Sequence, residues 1–214
     1  DDCFGRVLRK LEALGELEDA LIVFTADHGE MLGDRRHTFS KYCLYEGSVR
    51  VPLILAGTGI GTGREGTVDD RDAELVDVLP TVLDACALDV PAALPGHSLL
   101  SEPARCGTFA EMHGMGYEPV QLAPAYMWRT KAWKLILYLP GEITGAVGRL
   151  DEIEGELYHL KDDPFEWTDL YDDPDYLPVR ERLTRELLMH LACAWAKYPR
   201  QAARAALTPQ DPVA

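Results

Sequence analysis

Asp27 and His28 are adjacent, and they follow closely on Leu21, Ile22, Val23 and Phe24, an unbroken apolar run rich in β-branched residues. A carboxylate and an imidazole are both metal donors, one through hard oxygen and the other through a ring nitrogen. Neighbours on a regular strand point to opposite faces, so both can reach one ion only where the strand has given way to a turn; Gly29 permits that turn. Each residue also has a plainer employment. A strand-end Asp caps the following turn as readily as it ligates, and His28 serves equally as hydrogen-bonding support behind the ligands. Further on, Lys41 offers a flexible ammonium able to bridge the oxygens of an anionic group, although alone it reads as a solvated surface lysine. The segment between also carries Glu30, Asp34, Arg35, Arg36, His37, Glu46 and Arg50, too much charge over too great a length for a mere connection. His37 in this loop and His113, at an expected strand end, are possible substrate contacts.

The elements that must position these groups are legible from periodicity. Phe4, Val7, Leu8, Leu11 and Leu14 repeat at three and four, which predicts a helix with one buried stripe, and Gly15 stands where it would stop. A buried, parallel-type strand over 21–24 follows, so helix and strand form half of a doubly wound α/β unit with Asp27 on the ligand-binding edge of the sheet. A second strand is expected over 51–55. Gly57, Gly59, Gly61, Gly63 and Gly66 then mark a surface loop; no Gly-Lys-Ser/Thr follows, which argues against a nucleotide cradle. Leu75, Val78, Leu79, Val82, Leu83 and Ala87 predict a helix with Asp77 as cap and Pro80 in its first turn.

From about residue 107 the pattern changes. Segments at 108–112, 125–129, 133–139 and 156–160 are short, aromatic-rich and broken by Gly and Pro, which fits a small antiparallel sheet. Val179, Leu183, Leu187, Leu188, Leu191 and Trp195 form a long amphipathic helix suited to cover one face of it. Trp128, Trp133 and Trp167 are expected in the core. The chain therefore divides into 1–106, part of an α/β domain; 107–200, a small sheet with a terminal helix; and a tail over 201–214.

With 21 Lys and Arg against 36 Asp and Glu, the formal charge is −15, which argues against nucleic acid or an anionic membrane as partner. An anionic substrate must then be drawn by a local cluster, and residues 35–50 supply one. Cys3, Cys43, Cys86, Cys106 and Cys193 are odd in number and scattered, which indicates reduced thiols and favours a cytoplasmic location. Asp1 opens directly into a helical pattern, as if entered partway through a fold.

Asp27-His28-Gly29-Glu30, Gly33-Asp34, Lys41, Tyr45-Glu46-Gly47 and Arg50-Val51-Pro52 together resemble the sulfatase family of the alkaline-phosphatase-like superfamily. Val76 to Thr81, the Gly96-x-Ser98-Leu99 turn, and Glu156-Leu157-Tyr158-His159-Leu160 with Asp163-Pro164, Glu166 and Leu170 extend the resemblance; His159 and Asp169 depart from the family's acid and amide. The resemblance implies the carboxyl-terminal part of the family's doubly wound domain and a small-molecule or glycan sulfate ester as substrate. It makes Asp27 and His28 metal ligands, for Ca²⁺ in preference to Mn²⁺ or Zn²⁺, and Lys41 the catalytic lysine on the sulfate oxygens. The family's nucleophile is a formylglycine made within Cys/Ser-x-Pro/Ala-x-Arg. That motif is expected to be absent here, since none of the five cysteines stands in it, and the nucleophile is expected upstream of residue 1, leaving this chain alone inactive. The same residues also suit a phosphonate monoester or phosphodiester hydrolase of the superfamily, or a non-catalytic protein that keeps the fold.

Overall fold

The computed structural model describes residues 1–39, 41–61, 65–101, 105–113, 124–139 and 153–196, apart from the side chains of 36, 37 and 194–196. The expected tail over 201–214 lies outside the described residues. The chain forms two compact units: residues 1–108 with 164–167, and residues 109–163 with 168–214. The architecture is α/β, with a small antiparallel sheet and a long C-terminal helix in the second unit.

In the first unit, helix α1 (Asp2–Leu14) ends at Gly15, whose φ of 73° lets its amide turn back onto the Leu11 and Glu12 carbonyls. Strand β1 (Leu21–Thr25) then delivers Asp27 and His28 just past its end. Its partner is β2 (Leu53–Gly57), and the pairing is antiparallel, from Leu21 opposite Gly57 to Thr25 opposite Leu53. The parallel arrangement expected for β1 is thus not made with β2. Parallel neighbours need a crossover element long enough to return the chain to the same end. Among the described residues, the segment between β1 and β2 holds two single helical turns, α2 (Asp34–His37) and α3 (Glu46–Val49).

Helix α4 (Val78–Ala85) buries a different face from the one its apolar spacing predicts. Pro80 and Thr81 are buried, whereas Leu75 and Leu79 are exposed. The cause lies just before it, at Asp77, which is wholly buried. Its carboxylate accepts from the backbone N–H of Glu74 and of His97 and pairs with the Arg105 guanidinium, which also reaches Glu74 Oε2 at 2.8 Å. Thr81 Oγ1 extends the network by donating to the Asp77 carbonyl and accepting from the Leu99 N–H. The buried side of this helix is therefore organised by charge and hydrogen bonds.

In the second unit, β3 (Thr108–Met112), β4 (Ala125–Arg129), β5 (Trp133–Tyr138) and β6 (Glu154–His159) lie in chain order, and β4, β5 and β6 pair antiparallel. Helix α5 (Leu177–Ala196) packs Leu183 and Leu187 on Trp128, Leu135, Leu137 and Leu157. Leu188, expected on the same stripe, points to solvent. Trp128 is core and Trp133 packs against it, but Trp167, which belongs to the first unit, is exposed. Asp169 shows what one departure from the family pattern does: its Oδ1 accepts from the N–H groups of both Leu157 and Tyr171, pinning the 168–171 turn to β6. The other, His159, pairs with Asp162 at 2.8 Å and lies against the Trp133 ring.

Candidate active site

Three residues expected to carry chemistry converge at the end of β1. Lys41 Nζ lies 2.9 Å from His28 Nε2, and Asp27 Oδ2 lies 3.5 Å from the same nitrogen. The hydrogen bonds fix the tautomer. The Gly29 carbonyl, 2.8 Å from His28 Nδ1, can only accept, so Nδ1 carries the proton; the Lys41 ammonium can only donate, so Nε2 presents its lone pair. Asp27 Oδ1 accepts the N–H of His28, leaving Oδ2 facing Nε2. The Asp27 side chain is 87% exposed and that of His28 39%, so the pair sits at the surface, with Nε2 covered by Lys41.

These donors suit part of a metal shell. Oδ2 and Nε2 are 3.5 Å apart, close enough for both to meet one ion. The Nδ1–H tautomer leaves Nε2 as the ligating nitrogen, with the Gly29 carbonyl orienting the ring from behind. Two donors fall well short of the 6–8 oxygens typical of Ca²⁺. Among the described residues no group of three or more His, Cys, Asp and Glu is placed to hold an ion. The Lys41 ammonium stands at the Nε2 lone pair, so Lys41 and an ion ligated through Nε2 are alternative occupants of one position.

The role of Gly29 differs from the expected one. Its φ is not positive; what it provides is close approach, because a Cβ here would fall 2.1 Å from the Gly47 carbonyl oxygen. The backbone beyond His28 thus seats directly on the Tyr-Glu-Gly turn, with the Gly29 N–H donating to the Ser48 carbonyl at 2.7 Å. That turn is held in place by Glu166, buried, whose Oε2 accepts the Glu46 N–H at 2.8 Å. Beside it a small concavity is lined by Met31, Asp34, Arg35, Glu46, Phe165 and Trp167, among others. Arg35 holds left-handed backbone and stacks its guanidinium 3.9 Å from the Tyr45 ring centre.

The other two expected site residues are placed differently. His37 ends α2, and its side chain lies outside the described residues. His113 belongs to the second unit, where its Nε2 meets Glu111 at 3.2 Å and its ring stands edge-on to Tyr126. Burial first, and then the Glu111 charge, pushes the Tyr126 phenol above its ordinary 10.0.

Two features have roles that the sequence alone does not assign. One is Glu166, whose signal is only its place after Asp163-Pro164. The other is Ser101-Glu102-Pro103-Ala104-Arg105, which has the order Ser-x-Pro-x-Arg, so the expected absence of that motif holds for the cysteines and not for the serines. In the structure Arg105 is committed to Glu74 and Asp77, and the Ser101 hydroxyl donates to the Ser98 carbonyl at 3.0 Å. The pattern thus has a structural employment.

Residues 1–88 match the family model described as Sulfatase. Arylsulfatase K of Danio rerio is 32% identical over 171 residues, covering 75% of this chain and 31% of the relative. A solved structure, BT4656 in complex with its substrate D-glucosamine-2-N,6-O-disulfate, superposes with a TM-score of 0.70 at 26% identity, covering 91% of this chain and 38% of that one. The phosphonate monoester hydrolase of Agrobacterium radiobacter superposes with a TM-score of 0.74 at 27% identity, covering 89% and 38%. The chain spans about a third of the length of the curated relatives it matches. Such enzymes are generally metal-dependent. On the matched model, the relatives and the shared fold, this chain belongs to the sulfatase family within the alkaline-phosphatase-like superfamily.

Proposed function

We propose that the chain supplies the lysine and part of the metal shell of a sulfuric ester hydrolase acting on a sulfated small molecule or glycan. The observation that carries this is the 2.9 Å contact between Lys41 Nζ and His28 Nε2, with Asp27 Oδ2 beside them at the end of β1. Cleaving a sulfate ester builds negative charge on the oxygens around sulfur, and a positioned cation stabilises that charge. Lys41 is that cation: released from His28, its flexible stem carries the ammonium onto a sulfate oxygen. Asp27 Oδ2 and His28 Nε2 would hold a divalent ion, Ca²⁺ in preference to Mn²⁺ or Zn²⁺, together with ligands from outside these residues. Such an ion, when bound, supplies Lewis-acid polarisation of the sulfate group. The formylglycine nucleophile is assigned to sequence outside these 214 residues, since Arg105 of the one Ser-x-Pro-x-Arg is held by Glu74 and Asp77. A sulfated sugar as substrate draws support from the glucosamine disulfate bound by the similar BT4656.

The test is Lys41→Ala in an enzyme that contains these residues together with the nucleophile. Hydrolysis of nitrophenyl sulfate should lose about 2–4 kcal/mol of transition-state stabilisation in kcat/KM, the scale for one oxyanion donor. An unchanged rate returns Lys41 to the solvated surface. Similarity to the phosphonate monoester hydrolase favours a second reading, in which the same residues serve a phosphonate ester. A higher kcat/KM on phenyl phosphonate esters than on the matched sulfate would replace the first reading with it.

A further inference from the structure

We propose that Ser48 is a positioning residue that sets the contact between His28 and Lys41. Ser48 lies inside α3, is 2% exposed, and uses its two oxygens on different strands of the site loop. Its hydroxyl donates to the Lys41 carbonyl at 2.6 Å, and its carbonyl accepts the Gly29 N–H at 2.7 Å. One residue thus ties down the backbone of Lys41 itself and the backbone directly after His28. These two points are far apart in sequence, and the side-chain contact they support is made by a long, flexible lysine, so its geometry depends on where the two backbones are fixed.

The brace is itself anchored. The Ser48 N–H donates to the Tyr45 carbonyl at 2.9 Å, and Glu166 holds the Glu46 N–H at the start of the same turn. The Gly29 and Gly47 backbones touch as closely as the missing Cβ allows, which leaves the Ser48 carbonyl in line with the Gly29 amide. Buried hydroxyls without a partner are costly, so the Ser48 bond is directional and the Lys41 backbone has one preferred seat. The catalytic consequence rests on the sulfatase reading of Lys41; the brace itself does not.

Three measurements on the full chain test it without turnover. In the wild type, the Gly29 amide should exchange slowly with solvent; exchange at the rate of an unprotected amide overturns the brace. In Ser48→Ala, acylation of Lys41 by acetic anhydride, relative to exposed Lys10, should rise about fivefold, the population change that one ordinary hydrogen bond controls. The ¹⁵N shifts of His28 should lose the hydrogen-bonded Nε2 signature and turn into a mixture of tautomers. Ser48→Thr, which restores the hydroxyl, should restore both readouts, whereas a general loss of packing would not be rescued in this way. Should Ser48→Ala fail to fold, Ser48→Cys keeps the volume with a far weaker donor and is read identically. Wild-type labelling and wild-type His28 shifts in a folded variant without the hydroxyl overturn the proposal. Failure here, with Lys41→Ala still slowing sulfate hydrolysis, removes Ser48 alone; an intact brace with no effect of Lys41→Ala removes the catalytic reading alone.

Discussion

The two units of this chain are held together by different physics. In the second, most buried side chains are apolar, Lys134 being the buried charge: Leu135, Leu157 and Leu183 have no exposed surface, and Trp128, Leu137 and Leu187 complete one cluster between α5 and the sheet. In the first, Ser48, Asp77, Thr81 and Ser98 are buried polar groups, while Val7, Ile54, Leu75, Val76 and Leu79 stand exposed. Apolar burial is non-directional and stabilises by about 1.5–3 kcal/mol for each large side chain hidden from water. Hydrogen bonds and ion pairs contribute less net stability, but they are directional and costly to leave half-made. The unit that carries the candidate chemistry is the one whose interior is pinned by directional contacts. A site made of a carboxylate, an imidazole and a lysine needs fixed positions more than it needs a deep core.

Four substitutions or titrations would break or sharpen that contrast. The largest effect is expected from Arg105→Ala, which removes the cation facing the buried Asp77 carboxylate and its neighbour Glu74, at a cost of about 3–5 kcal/mol. Amide exchange at His97 and Glu74, whose N–H groups donate to Asp77, should accelerate while that of β5 and β6 stays unchanged; equal acceleration in both units would dissolve the contrast. Leu135→Ala should do the opposite, costing about 2–5 kcal/mol through the cavity it leaves, with faster exchange across β4, β5 and β6. Asp169→Ala removes one acceptor shared by Leu157 and Tyr171 and should cost about 1–3 kcal/mol, read by urea unfolding of the second unit. Asp169→Asn, which keeps the accepting oxygen, should recover most of it.

The smallest effect concerns pH. Burial and Glu111 raise Tyr126 above 10.0 in the folded state, so its neutral form is favoured there. That contribution is fully present below the unfolded pKa and is lost as pH rises through the folded one. Ultraviolet titration should therefore show Tyr126 ionising above 10.0, and Glu111→Gln should bring it partway back; titration at or below 10.0 would contradict the stated cause.

Much of the fold was legible in the order of residue types. The three-and-four spacing with Gly15 delimits α1, the aromatic-rich segments after residue 107 mark the small sheet, and Leu183 and Leu187 name the buried face of α5. Those signals are local, because a helix or strand must place its own apolar residues on one side. The strand end that carries Asp27 and His28 was likewise legible as a strand followed by a charged loop, whereas Lys41 was joined to them only by the resemblance to the sulfatase family. What tertiary structure alone decided was everything set by a partner distant along the chain. The antiparallel pairing of β1 with β2 depends on how a loop of single turns folds back. The polar face of α4 depends on Arg105, the exposure of Trp167 on a turn that leaves its neighbours to seat beside Glu46, and the hold of Glu166 on Glu46 on a bond across 120 positions. Periodicity reports which face an element hides; it carries no information about which remote charge or carbonyl will be waiting there.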